Sequence, residues 1–434
     1  MIARTLHSLT LVAAIAVGDT PCEKDVAFAL DQLGTKCASL LEQKEIDWKK
    51  VRTEMTAAAA AAKDDSDHLF VLAQLLARLR DGHAEVRPLE KGKGIEWPER
   101  FRGETSGPGL FLCRIADKLF IKNAFAGAAA AGIRPGMELL TVDGKPARDW
   151  LAARTAELAD YRCFSTDQQA FFFACHWGLA FPTGTRLGLG LKDSKGKKLA
   201  RTVQCDGASQ VPDGPAFLPD CPKGVAKSHD LQFGITAKGY GYVHVRRCPA
   251  DLPEQMDAAL AGLGPLAKLP GLILDFRGNS GGSFDHDALF GRFVPVGTTF
   301  GVGKSYASAG PKPYGGNVVV LVDATIRSAG ETAAGIFKED GRAWCLGESA
   351  TAGMSSQKED LELPSGLFSL HFSVGSNKGR FNGGKGIEGI GVVPNELIAF
   401  APKDLEQGID TLIARAEALL AKFPQDKVPF RPAR

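Results

Sequence analysis

Two short runs constrain the chain more than anything else: residues 271–276 (GLILDF) and 317–322 (NVVVLV), each emptying into a turn of small and polar residues. A strand that is apolar throughout, instead of alternating, is covered on both faces and belongs to a mainly parallel sheet. The surrounding sequence alternates to match. Residues 240–245 read as a strand, 252–263 as a helix, 330–339 as a helix and 367–372 as a further strand. An amphipathic helix over 404–423 closes the chain.

Upstream the rhythm changes. Residues 24–79 are helical in pattern, with Leu69, Leu72, Leu75, Leu76 and Leu79 recurring at threes and fours. The helix should stop at Asp81 and Gly82, since glycine tolerates a left-handed cap. His83 then stands just past a helix end, on a loop that displays it. From 107 to 204 short β-like runs alternate with turns such as Asp143-Gly144, and 161–182 reads as a helical insertion. Residues 206–229, rich in Pro, Gly and Asp, form a linker. At 434 residues the chain is long enough for two or three domains.

Composition bounds the partners. A net charge of +2 points to neither nucleic acid nor an anionic membrane surface. Arg4, the apolar run 9–17 and small residues at Ala14, Ala16 and Gly18 fit a signal peptide over 1–18. The competing reading is a helix that packs on the protein. The run is shorter than the ~20 apolar residues of a membrane span, so the mature chain is expected outside the cytoplasm, with no span. Among nine cysteines, Cys22 with Cys37 and Cys205 with Cys221 are candidate disulfides. There is no Cys-x-x-Cys and no zinc-type spacing, so neither metal nor cofactor is expected.

The chemistry sits where the strands end. Residues 275–282 (DFRGNSGG) form a glycine loop whose backbone N–H groups can face a ligand. An oxyanion hole and a plain tight turn are both open there; a phosphate loop lacks its Gly-Lys-Ser/Thr. In 325–331 (TIRSAGE) Ser328 opens a helix, where the Ala329 N–H can bind an oxyanion. Ser328 is equally an ordinary N-cap, with Glu331 completing a capping box. His244, inside a strand, is the second candidate for a base. His176 reads as packing, Asp285-His286-Asp287 as a polar helix start, Cys345 as a buried strand thiol and Lys385 as a solvated loop residue.

The order of these motifs resembles the C-terminal processing, or tail-specific, serine protease family. The matching residues are 275–282, Ser328 to Glu331 in SAGE, Gly347 and Glu348 with Gly353, and 388–394 (EGIGVVP). Before them, residues 126–146 resemble a PDZ domain: an alanine helix, Gly132-Ile-Arg-Pro-Gly136 and a strand ending Val142-Asp-Gly144. The resemblance implies a multi-domain α/β protein. Its parts are an N-terminal helical region (19–90), a PDZ-like β-rich domain with a helical insertion (98–205), and a linker (206–229). A protease core resembling the ClpP/crotonase-like fold (230–402) and a C-terminal helix and tail (403–434) follow.

It also implies the machinery. The processing enzymes place a lysine 25 residues after the serine, but this chain has Gly353 there. The tricorn-like branch uses a histidine from the N-terminal region and a glutamate of the E-G-x-G-V motif, which fall on His83 and Glu388. That branch has a serine just before the histidine, where this chain has Gly82. The resemblance therefore implies a Ser328–His83–Glu388 triad, with oxyanion donors from Gly281 or Gly282 and Ala329. Unfolded polypeptides would be held by the C-terminus at Gly109, Leu110 and Phe111. A ligand-binding module without activity and a small-acyl esterase are the alternatives.

Overall fold

The computed structural model describes residues 20–206, 230–302, 304–423 and 431–432. The expected leader, all but the first residue of the expected linker, and Cys221 are thus outside the described or only partly described region. The chain is a mixed α/β protein with several sheets.

The two apolar runs became neighbouring strands, Leu272–Asp275 and Val318–Val322, in a six-stranded sheet. They pair in parallel, as do all neighbours in that sheet except the antiparallel Leu231–Ile235 with Gly241–Val245. Alternate side chains enter two different cores. Leu272, Leu274, Val318 and Val320 meet helices Leu252–Gly262 and Ala329–Glu339. Ile273, Val319 and Leu321 meet helix Thr411–Leu420 on the opposite face. Both faces are dry, which is why the runs are apolar without interruption. The single closing helix expected over 404–423 is two helices, Pro402–Gln407 and Thr411–Leu420. Gly408 turns left-handed at φ 69°, and Asp410 caps the second helix through the Leu412 and Ile413 N–H groups.

A second sheet is antiparallel and runs Leu110–Ile115, Lys118–Ala124, Glu138–Val142, Arg186–Lys192, Lys198–Gln204. It has its own core, shared with helices Ala147–Ala159 and Asp167–Cys175. The second of these lies within the stretch 161–182 that reads as helical in the sequence; the first was not anticipated.

The N-terminal helices do not close a core by themselves. Pro21–Lys36, Trp48–Ala61 and Asp65–Arg78 bury their apolar faces against Phe368, Leu370 and Phe372. Those residues lie on the strand Phe368–Ser376, which pairs antiparallel with Ser356–Glu362. The same strand pairs on its other edge with Glu85–Pro88, Glu85 standing opposite His371. Residues 85–88 are thereby stitched to residues 280 to 286 positions later (368 − 88 and 371 − 85). Cys22 and Cys37 are free thiols. They lie at the two ends of helix Pro21–Lys36, and 15 residues at 1.5 Å each put them about 22 Å apart, beyond any disulfide.

At the mouth of the central sheet Arg277 is buried between Asp275 (2.6 Å) and Asp410 (2.8 Å), tying a strand end to a helix cap. Arg277→Ala leaves two buried carboxylates without that cation. It is expected to lower stability by about 3–5 kcal/mol, read from urea unfolding.

Candidate active site

Ser328 stands between strand Val318–Val322 and helix Ala329–Glu339 with φ 55° and ψ −126°. An ordinary N-cap has extended backbone; positive φ on a serine is strain, which persists only where the surroundings impose it. They do so here through Glu331. Its carboxyl is fully buried and accepts from the N–H groups of Ser328 (3.1 Å), Gly353 (2.7 Å) and Met354 (2.7 Å), and from the Thr351 hydroxyl. Burial nevertheless pushes its pKa up to about 8. The Ser328 N–H also reaches the Met354 carbonyl at 3.0 Å. The capping residue of the sequence thus fastens the turn to segment 351–354.

The glycine loop lies against this turn. A Cβ on Gly281 (φ +81°) would come within 2.9 Å of both the Arg327 carbonyl and the Ser328 Cβ. The Gly281 N–H is used internally, donating to Asn279 Oδ1 at 2.8 Å. Gly282 is exposed, and its N–H and that of Ala329 meet no acceptor among the described residues. Of the expected oxyanion donors, Gly282 and Ala329 are the pair left available.

His83 is brought in from the far end of the sequence. Asp81 fixes the loop by accepting from the His83 N–H (2.9 Å), the Ser373 N–H (2.7 Å) and the Ser373 hydroxyl (2.9 Å). One polar atom each from Asp81, His83 and Glu388 lie within 4.8 Å of one another. Glu388 is fully buried, with Lys44 Nζ at 2.8 Å and the Ser165 hydroxyl at 3.1 Å. Lys44 sits on Glu388 and both Asp81 oxygens accept hydrogen bonds, so the two carboxylates, the ammonium and the imidazole form one network. Burial lowers the His83 pKa to about 4, and burial raises that of Glu388 to about 7 against the pull of Lys44. His83 Nδ1 faces the Ser356 hydroxyl at 3.5 Å.

Met354 joins the two halves. Its carbonyl holds Ser328, and its side chain fills the space beside Gly82: a Cβ there would be 2.6 Å from Met354 Cγ and Sδ. No hydrogen bond links Ser328 Oγ to His83 among the described residues. Gly353, the position at which the processing enzymes carry a lysine by the resemblance above, has φ +78°, and a Cβ would meet Thr166 Cγ2 at 2.7 Å. That site has no room for any side chain.

Other sequence candidates fall elsewhere. Gly109, Leu110 and Phe111 are buried, the Phe111 ring packing on Phe125 and His176 at 5.4 and 4.9 Å. Leu110 and Phe111 stand in the strand Leu110–Ile115, and the residues expected there to form a carboxylate loop are buried, with the segment that carries His176 packed onto them. His244 is sealed under the Arg277 carbonyl at 2.7 Å. Burial pushes the Cys345 thiol up to about 12, so it is not a nucleophile. Asp285 does cap helix His286–Gly291. Sequence reasoning missed Lys44, Ser165, Ser356 and Ser373; Asp81 was visible only as part of a helix stop.

Residues 239–398 match the family model described as Peptidase family S41. Among solved structures the chain is similar to mature CPAF, with 15% identity, a TM-score of 0.64, and coverage of 92% of this chain and 96% of that one. Its complex with lactacystin matches equally, at 15% identity and a TM-score of 0.63, covering 92% and 97%. A putative peptidase from Parabacteroides merdae follows at 14% identity and a TM-score of 0.53, covering 94% and 99%. No curated protein matches the chain.

Gly281→Ala combines positive φ with a backbone clash at the turn. It is expected to lower stability by about 1–3 kcal/mol and to displace the Ser328 side chain. Calorimetry gives the first effect and turnover of an unfolded protein substrate the second.

Proposed function

We propose that the chain, whose residues 239–398 match the model of peptidase family S41, is a serine peptidase in which Ser328, His83 and Glu388 act as the catalytic triad on unfolded polypeptides. The observation that carries this reading is convergence. His83 and Glu388, 305 positions apart in sequence (388 − 83), come within 4.8 Å of each other. Both the His83 loop and the strained Ser328 turn rest on Met354.

The chemistry follows from the surroundings. A serine hydroxyl needs an adjacent base to attack at neutral pH. Burial keeps the His83 imidazole neutral, so it can take the Ser328 proton and return it to the leaving amine. Attack of Ser328 Oγ on the scissile carbonyl gives a tetrahedral oxyanion, which the Gly282 and Ala329 N–H groups are free to bind. Collapse expels the amine and leaves an acyl-enzyme that water hydrolyses. Glu388 stabilises the imidazolium that forms in each half. The leader-like segment 1–18 supports work outside the cytoplasm, and the buried residues 109–111 lend no support to end-capture there.

Ser328→Ala is expected to abolish cleavage of an unfolded reporter protein while leaving the circular dichroism spectrum unchanged. Undiminished cleavage would remove the proposal. Cleavage of a nitrophenyl ester but of no polypeptide by the wild type would favour an esterase. The pH profile carries a second test. His83 is neutral above about 4, and Glu388 is charged only above about 7. The acid limb of kcat/KM should therefore lie near 7 and follow Glu388. In Glu388→Gln the residual activity should lose that limb and fall only near pH 4, where His83 itself takes a proton.

A further inference from the structure

We propose that Ser165 is a positioning residue for this centre: its hydroxyl, delivered by segment 165–169, holds the Glu388 carboxylate in place beside His83. The inference rests on the triad reading and names a residue that reading does not contain.

Ser165 is 1% exposed, and its hydroxyl is engaged on both sides. It accepts the Gly82 N–H at 2.8 Å and donates to Glu388 Oε1 at 3.1 Å. One hydroxyl therefore fastens the backbone next to His83 to the carboxylate that faces it. Residue 82 cannot offer such a group itself, since Met354 and Gln169 Oε1 (3.0 Å) occupy the space a side chain would need.

Ser165 is itself held. Its N–H donates to Gln169 Oε1 at 2.7 Å, on the first turn of helix Asp167–Cys175. The Thr166 hydroxyl donates to the Ala352 carbonyl at 2.9 Å. Gln168 Nε2 donates to the carbonyls of Thr351 (3.1 Å) and Ile390 (3.0 Å). Residues 165–169 are thus clamped to the segment that anchors Ser328 and to the segment that carries Glu388. The arrangement is a donor with a fixed aim, not a surface serine that happens to be near.

Glu388 needs it. Lys44 and Ser165 share Oε1, while Oε2 is buried with no partner among the described residues. The charged and titratable groups facing the carboxyl are Lys44, Asp81, His83 and, farther off, Glu331. Lys44, buried and also donating to the Arg80 carbonyl at 2.7 Å, supplies the charge; the Ser165 hydroxyl supplies a second donor from another direction. It also favours the charged carboxylate, so its loss should move the acid limb of kcat/KM to higher pH.

The test compares Ser165→Ala, Ser165→Thr and Gln168→Ala in the full chain. For Ser165→Ala a kcat lower by roughly 10- to 100-fold is expected, the usual cost of a hydrogen bond to a charged group. KM should be unchanged, because Ser165 does not meet substrate, and the acid limb should shift alkaline. Ser165→Thr keeps the hydroxyl and should restore both kcat and the limb. Gln168→Ala cuts only the clamp; it should leave the limb where it is. If folded Ser165→Ala keeps wild-type kcat and limb while Ser328→Ala is dead, the positioning role is refuted and the triad stands. An alkaline shift equal in Gln168→Ala and Ser165→Ala would likewise refute it, as general loosening. Activity surviving in Ser328→Ala would instead overturn the triad itself.

Discussion

The structure depends on one strand pairing that no local signal announces: Glu85–Pro88 against Phe368–Ser376. Without it the N-terminal helices have no partner for their apolar faces, since Phe368, Leu370 and Phe372 supply part of their core. The pairing also sets where His83 goes. Two residues before the strand, the loop is drawn over Ser373, whose N–H and hydroxyl fall on Asp81. Fold stability and placement of the imidazole are the same interaction here. Loops that carry function are held in this way by a rigid scaffold beneath them.

The second constraint is the Glu331 carboxyl. A single buried group gathers three backbone N–H donors and a hydroxyl, and one of the donors is Ser328 itself. That explains how a serine can sit at φ 55°: the cost of the strained turn, of order 1–3 kcal/mol, is offset by the contacts that over-determine it. Segment 351–354, pulled onto Glu331, then becomes the platform on which the histidine loop and segment 165–169 both rest. Gly82, Gly281 and Gly353 have no side chains because the backbone and Met354 or Thr166 stand where one would be.

The central sheet was legible because its runs have only one physical use, and so were the turns at 275–282 and 325–331 that follow them. Ser328 was legible only as a choice between cap and nucleophile, since Glu331 three residues on suits both; the capping box is present, and the backbone angle that sets it apart from an ordinary extended cap is invisible in sequence. The hairpin over 356–376 was half seen. Ser356–Glu362 alternates charge and polarity (SQKEDLE), so it has no apolar run to give it away. With that strand hidden, Ser356 and Ser373 could not be placed. Lys44, Ser165 and Glu388 come from three distant segments and meet only in the fold. The burial of residues 109–111 was unreadable for the converse reason: their β-strand signal was correct, but the helix that covers them, Asp167–Cys175, lies far along the sequence.

The central claim is that Ser328 is an activated nucleophile, and covalent trapping tests it most directly. Intact mass spectrometry of the full chain after exposure to a fluorophosphonate, followed by peptide mapping, should show one adduct, on the peptide containing Ser328. That adduct should be absent after His83→Ala at equal reagent and time. A chain that stays unmodified, or carries its adduct on another residue, would contradict the account.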